Sequence, residues 1–220
     1  MKLNKTSKTE QPSWLKYDVN TFVECIQTDS LAVVYGNEPT NDAYRIVEDV
    51  VSRLTGREIE YQKLEKNFKG KPLLPSPWSF CLSHTDNSFL LVVAKTSMVG
   101  IDLESANVLN TLTEPQFDGL MESALTPTEQ RIWKQEPTRE HFLQFWNLKE
   151  AYLKATGVGL VDHLDRLEII QSTSSPINRL CLTDAQFDFV QFSAPNGEHA
   201  SIVFHRKVVN VCLNRFFVTI

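Results

Sequence analysis

No apolar run in this 220-residue chain approaches the roughly 20 residues that a membrane span needs. The longest, around Phe89 to Ala94, has the length of a strand. The four cysteines, Cys25, Cys81, Cys181 and Cys212, form no CxxC pair. That scatter suggests neither a zinc site nor a disulfide framework, and it reads as the reduced thiols of a cytoplasmic protein. Cations are in the minority: the formal net charge is −5. This argues against broad, nonspecific binding to nucleic acid, though it leaves room for a local basic pocket. There is no GxSxG elbow, no repeat, no long linker and no low-complexity segment. The first ten residues, MKLNKTSKTE, carry lysines with no apolar stretch behind them. Residues 1–12 therefore read as a frayed tail and not as a signal peptide.

What is present is an ordinary globular composition, 42% hydrophobic and 22% charged, long enough for a substantial core. SLAVVYG (Ser30 to Gly36) reads as a buried strand closed by glycine. TNDAYRIVEDVVSRLTG follows as an amphipathic helix, with cap candidates Thr40 and Asn41, apolar Tyr44, Val47, Val50, Val51 and Leu54, and a stop at Gly56. FKGKPLLPSP is a turn-rich loop. WSFCLSH and SFLLVVA form a hairpin about TDN, and MVGIDLE is the next strand. TPTEQRIW opens a helix with Thr126 as N-cap, Pro127 first and Glu129 at the capping-box position. TREHFLQFWNLKEAYLKATG is the strongest helix of the chain, with Gly157 to end it. Short strands are expected in LDRLEII, NRLCL, FDFVQFS, ASIVFH and VVNVCL. The order describes an α/β protein of two similar halves, residues 13–103 and 104–220, packed as one unit.

Three segments carry residues suited to chemistry. In GIDLE, Asp102 and Glu104 are two apart on a strand and point the same way. Like charges side by side need either open solvent, as at an ordinary strand end, or a cation between them. On the long helix, Trp146, Glu150 and Lys154 share one face, with Lys149 beside them. Glu150 and Lys154 alone could be a solvated surface pair. Joined with Asp102 and Glu104, Glu150 completes three carboxylates of the kind that hold a hard cation such as Mg²⁺ with phosphate oxygens as further ligands. In FCLSHTDN, Ser83 and His84 lie where a strand enters a turn; they either satisfy that turn or meet a phosphate. Their adjacency puts them on opposite faces, so they do not form a nucleophile–base pair. Lys71 in GKP sits on what reads as a stiff, exposed turn, and Arg45 follows DAY on the first amphipathic helix, where a solvated role is the plainer alternative.

The sequence GKP, FCLSHT, GIDLE and WNLKEAYLKATGVGL, in this order, resembles the 4′-phosphopantetheinyl transferase superfamily, and the length and two-halved order resemble its surfactin-synthetase-activating type. The resemblance covers roughly residues 40 to 165. It implies a pseudo-twofold α/β fold with coenzyme A in the cleft between the halves, and Mg²⁺ on Asp102, Glu104 and Glu150. It implies transfer of phosphopantetheine from coenzyme A to a serine of an apo acyl or peptidyl carrier protein, as in holo-acyl-carrier-protein synthase, releasing 3′,5′-ADP. Glu150 would be the base for that serine and Lys154 would steady the pyrophosphate. Arg45 and His84 match positions that contact the 3′-phosphate and adenosine end; Lys71, Ser83, Lys149 and Lys154 fall at other coenzyme-contacting positions. A two-halved chain of this type contains its own cleft, so a monomer is expected. Charge, hydropathy and cysteine usage add the expectation of a cytoplasmic protein with no nucleic acid and no membrane among its partners, and the sequence does not choose between fatty-acid, polyketide, polyunsaturated-fatty-acid and nonribosomal-peptide carriers.

Two departures stand out. Cys81 replaces the usual asparagine of FNLSHS, and residues 25–40 contain no lysine or arginine where relatives have a basic run that helps hold the 3′-phosphate. Arg53 and Arg57 are the candidates to replace it. The missing run motivates an alternative, a non-catalytic relative that binds coenzyme A or a carrier. A third reading is another Mg²⁺-dependent phosphate enzyme.

Overall fold

A computed structural model describes residues 14–28, 31–37, 41–158, 164, 167–172, 179–184, 186–205 and 214–218. In chain order the elements are β1 Leu15–Lys16, α1 Val19–Thr28, β2 Leu31–Gly36, α2 Asn41–Thr55, a 3₁₀ turn at Tyr61–Lys63, β3 Ser79–His84, β4 Phe89–Ala94 and β5 Val99–Glu104. Then come α3 Ala106–Asn110, α4 Glu114–Ala124, α5 Pro127–Trp133, α6 Arg139–Thr156, β6 Ile169–Ser172, β7 Arg179–Leu182, β8 Phe187–Ser193, β9 His199–His205 and β10 Asn214–Val218. Five strands form one sheet in the order β1-β10-β2-β4-β3, three form a second in the order β5-β9-β8, and β6 pairs with β7.

The layers follow from side-chain alternation. In β4, Leu90, Val92 and Ala94 face the second sheet, while Phe89, Leu91 and Val93 face α1 and α2. A strand apolar on both faces must be covered on both, and β4 is buried along its whole length. The core between the sheets joins Leu31, Val33 and Tyr35 of β2 to Ile101 and Leu103 of β5 and Ile202 and Phe204 of β9. Outside the first sheet, α2 buries Ala43, Ile46, Val47, Val50 and Val51. Its inner face is turned slightly from the expected one: Tyr44 is half-buried and stacks on Tyr61, ring centroids 4.2 Å apart. Outside the second sheet, α6 buries Phe142, Phe145, Leu148, Ala151 and Ala155 at helical spacing. Burying each of the first three contributes about 1.5–3 kcal/mol.

Helix α6 is the element that carries the site, and both its ends are defined. The Thr138 side chain accepts from His141 N at 3.0 Å, and Gly157 takes φ 69° beyond the last turn, a backbone state that favours glycine. Its distance from β5 is set by Gly100. A Cβ placed there would stand 2.1 Å from Ala151 O and 2.2 Å from Ala155 N. Backbone therefore lies directly on backbone, and the residues just beyond Gly100 are delivered onto the face of α6.

The expected boundary between residues 103 and 104 does not coincide with the boundary between sheets. β5 pairs antiparallel with β9, in the second sheet. β10 returns to the first sheet and lies parallel to β2, Phe216 opposite Val34. The expected strand VVNVCL, residues 208–213, lies outside the described residues, as does Thr40. Tyr35 also ties the sheets together: its hydroxyl donates to Glu198 Oε2 at 2.9 Å, and Ser88 Oγ donates to Glu198 Oε1.

Candidate active site

The strand ends of β3 and β5 meet the last turns of α6. Asp102, only 3% exposed, is gripped at both carboxylate oxygens. Its Oδ1 takes Lys154 Nζ at 2.5 Å and the Ser83 hydroxyl at 3.1 Å; its Oδ2 takes Asn147 Nδ2 at 2.9 Å. Ser83 Oγ in turn accepts from Lys154 Nζ at 2.9 Å and from Leu103 N at 3.2 Å. Four residues from three elements thus share one hydrogen-bonded centre. Because Asn147, Glu150 and Lys154 are three and four apart, one face of α6 supplies all three.

Glu104 and Glu150 add two more acids. Burial, and then the Asp102 charge, push each carboxyl up to about 7. For Glu104 the charge of Glu150 adds to the same effect, which makes these acids one electrostatic unit. Burial works to lower the Lys154 ammonium, but Asp102 beside it leads the group that raises it overall. One lysine does not neutralise three acids. Glu150 is 8% exposed, and its Oε1 is buried with no hydrogen-bond partner. An orphaned carboxylate oxygen in a crowd of negative charge is the arrangement a cation would relieve, so the donor set fits a hard divalent ion. Among the described residues, no three His, Cys, Asp or Glu side chains are gathered as a finished ligand set. Lys154, not a carboxylate, is the group drawn against Asp102.

Beside this centre is a cavity of about 350 Å³ lined by Tyr61, Lys69, Gly70, Lys71, Pro72, Phe80, Cys81, Leu82, Glu150, Leu153, Lys154 and Gly157. Cys81 is buried, its Sγ 3.8 Å from Ile101 O, a distant partner that shows how little of an amide's hydrogen bonding a thiol reproduces at this position.

The structure places the other candidate residues differently. Lys149 is a correction: it does not face the cavity. It is fully buried, ion-paired to Glu129 at 2.6 Å, and donates to Ala124 O at 2.7 Å and Leu164 O at 2.9 Å. One residue along a helix is a rotation of about 100°, which carries Lys149 off the site face. Lys71 is a second correction. The turn before it, Phe68 to Gly70, is exposed as expected, but the half-buried Lys71 side chain reaches inward, and its ammonium donates to Val99 O at 2.9 Å and Lys154 O at 2.6 Å. His84 is exposed at the end of β3, and Arg45 is exposed on α2. Arg53 donates to Asn20 Oδ1 at 2.7 Å, bracing α1 against α2, and Arg57 is exposed. Asn147, which holds Asp102 Oδ2, is a residue the sequence reading passed over in favour of Trp146; its spacing from Glu150 and Lys154 is the signal that marks it.

Comparison with known proteins gives a consistent picture. The family described as the 4′-phosphopantetheinyl transferase superfamily matches residues 98–204, a stretch that includes Asp102, Glu104, Asn147, Glu150 and Lys154. Among curated relatives, the 4′-phosphopantetheinyl transferase HetI of Nostoc sp. is 30% identical over 139 residues, covering 60% of this chain and 56% of that protein. A phosphopantetheinyl transferase of Thraustochytrium sp. is 31% identical over 166 residues, 67% of this chain and 55% of the relative. The human L-aminoadipate-semialdehyde dehydrogenase-phosphopantetheinyl transferase is 34% identical over 127 residues, 53% of this chain and 40% of the relative. The chain spans about half the length of the curated relatives it matches. Among the described residues, no helix is long and apolar enough to cross a membrane.

Proposed function

The chain belongs to the 4′-phosphopantetheinyl transferase superfamily, and on that premise we propose that it transfers the phosphopantetheine group of coenzyme A to a serine of an apo acyl or peptidyl carrier protein. The observation that carries this reading is the charge-crowded centre in which β5 supplies Asp102 and Glu104 while α6 supplies Glu150 and Lys154. In the proposed reaction the serine oxygen bonds to the β-phosphorus as the bond from that phosphorus to the bridging oxygen breaks. 3′,5′-ADP leaves with the bridging oxygen.

The roles follow from the groups' chemistry. Glu150 takes the serine proton. Its Oε1 is buried and has no hydrogen-bond partner among the described residues, so a lone pair is left to accept that proton. Lys154 steadies the charge that grows on the leaving pyrophosphate oxygen, which requires its ammonium to be shared between Asp102 and the phosphate. Ser83 and Asn147 keep the Asp102 carboxylate in place. Arg45 and His84, both exposed, are the proposed contacts for the 3′-phosphate and adenosine end. Lys149 is no part of the coenzyme site. Asp102, Glu104 and Glu150 would hold Mg²⁺, which when bound supplies neutralising charge for the pyrophosphate.

The test is mass spectrometry of apo carrier proteins from several classes, incubated with the protein, coenzyme A and Mg²⁺. A carrier heavier by one phosphopantetheine is expected; none modified in any class would contradict the reading. The absence of lysine and arginine from residues 25–40 favours a second reading, a non-catalytic binder of coenzyme A or carrier. Glu150→Gln separates the two: it abolishes transfer under the first and leaves binding function intact under the second.

A further inference from the structure

At the C-terminus of α6 the helix leaves carbonyls without helical partners. Gly157 N satisfies Leu153 O at 2.9 Å. The next two, Lys154 O and Ala155 O, are met by the Lys71 ammonium at 2.6 and 3.5 Å, and the same ammonium holds Val99 O of β5 at 2.9 Å. A cation at this end also suits the helix dipole. One side chain thus ties the start of β5 to the last turn of α6, the two elements whose approach puts Lys154 on Asp102.

The loop that carries Lys71 is built to aim it. Asn67 Oδ1 accepts from Lys69 N and Lys71 N, each at 2.9 Å, and Asn67 N donates to Lys71 O at 2.9 Å. Gly70, at φ 85°, makes the tight turn between them. Asn67 Nδ2 then reaches Gly157 O at 3.3 Å, a second tie to the helix end. Gly157 admits it: a Cβ there would stand 2.7 Å from Asn67 Nδ2.

We propose that Lys71 is a positioning residue, a strut whose ammonium fixes the last turn of α6 against β5 and so sets the place of Lys154, and that it is not a phosphate contact. This rests on the transferase reading for its kinetic consequence, and on the backbone geometry alone for its structural one. A lysine with three carbonyl acceptors has its hydrogens committed. To meet a phosphate it would have to abandon them and leave two helix-end carbonyls unsatisfied.

The experiment compares Lys71→Met and Lys71→Arg with the unaltered protein, titrating coenzyme A at saturating carrier. For Lys71→Met, a strut predicts a fall in kcat of about tenfold or more with the coenzyme KM held within about twofold, and recovery of most of the loss in Lys71→Arg. A rise in coenzyme KM with kcat retained, or no change in either, overturns the proposal. Asn67→Ala, which removes the loop's ties but keeps the ammonium, gives the same pattern at smaller size and serves if Lys71→Met folds poorly. Hydrogen exchange separates this proposal from the transferase reading. In Lys71→Met the amides of the last turn of α6 and the start of β5 exchange faster while those of α2 do not, whether or not any carrier is modified. Unchanged exchange at those amides overturns the strut even if the transferase is fully active.

Discussion

Two of the ion pairs on helix α6 lie five residues apart, one fully buried and one partly exposed, and they are opposites. Lys149 meets Glu129 at 2.6 Å, both side chains fully buried; Lys154 meets Asp102 at 2.5 Å with a third of the lysine side chain exposed. Around the first pair the accounts close. Glu129 also takes Thr126 N and Ile169 N, each at 2.7 Å, and Lys149 also gives to two carbonyls. Among the described residues Glu129 is the acid that Lys149 meets, and the pair pins the entrance of α5 and β6 to α6. Around the second pair they do not close: three acids face one lysine, and Glu150 Oε1 has no partner. The first arrangement is what a fold needs to hold its shape. The second keeps unmet negative charge beside a cavity, which is what a site needs in order to bind a cation and a phosphate.

The comparison breaks if the two pairs respond alike to removal of one member. Lys149→Met leaves a buried carboxylate unpaired and should cost about 3–5 kcal/mol, read by urea denaturation. Gly100→Ala should cost about 1–3 kcal/mol or more by forcing backbone from backbone. It should also loosen the Lys154 pair while sparing the Lys149 pair, a difference visible in hydrogen exchange along α6. Glu104→Gln should act in the opposite direction. Without divalent ion at pH 8 it removes one of three crowded charges and should raise stability by an amount on the order of 1 kcal/mol, reduced by solvent screening at this half-buried side chain. A loss of stability there would deny that the acids are in conflict.

A further effect is in pH dependence, and its sign follows from the raised carboxyls. Glu104 and Glu150 have ordinary values of 4.5 and are held near 7 in the folded chain, so the native state binds more protons than the unfolded state between those limits. The stability they contribute is fully present below about pH 4.5 and is lost as pH rises through about 7. Added Mg²⁺ should flatten that decline. A decline of the same steepness with and without the ion would separate the acids from any metal.

Much of this was legible in the sequence where the signal was local. The periodicity of α6 and its stop at Gly157, the hairpin of β3 and β4, and the capping box at Thr126 and Glu129 are short-range patterns, and they appear where expected. Asp102, Glu104, Glu150 and Lys154 could be paired because each motif was complete. What could not be read depends on distant partners. Lys149 beside Glu150 looked like a second site cation, since nothing in its own neighbourhood points to Glu129 in another helix. Lys71 looked exposed because glycine and proline flank it, while its acceptors are backbone atoms of β5 and α6. The return of β10 to lie parallel with β2 joins the two ends of the chain and leaves no turn signal between them. α1, α3 and α4 were passed over; α4 carries Gly119 in its interior, which weakens a helical pattern, although Thr113 and Pro115 mark its start.

The central claim is that Asp102, Glu104 and Glu150 form one charge-crowded centre able to take a divalent cation. Carboxyl-carbon NMR titration of Glu104 and Glu150, assigned by Glu→Gln substitution at each position, tests it most directly. The account predicts midpoints near 7 in metal-free protein and a marked fall on adding Mg²⁺ with coenzyme A. Midpoints in the ordinary glutamate range, unmoved by the ion, would contradict it.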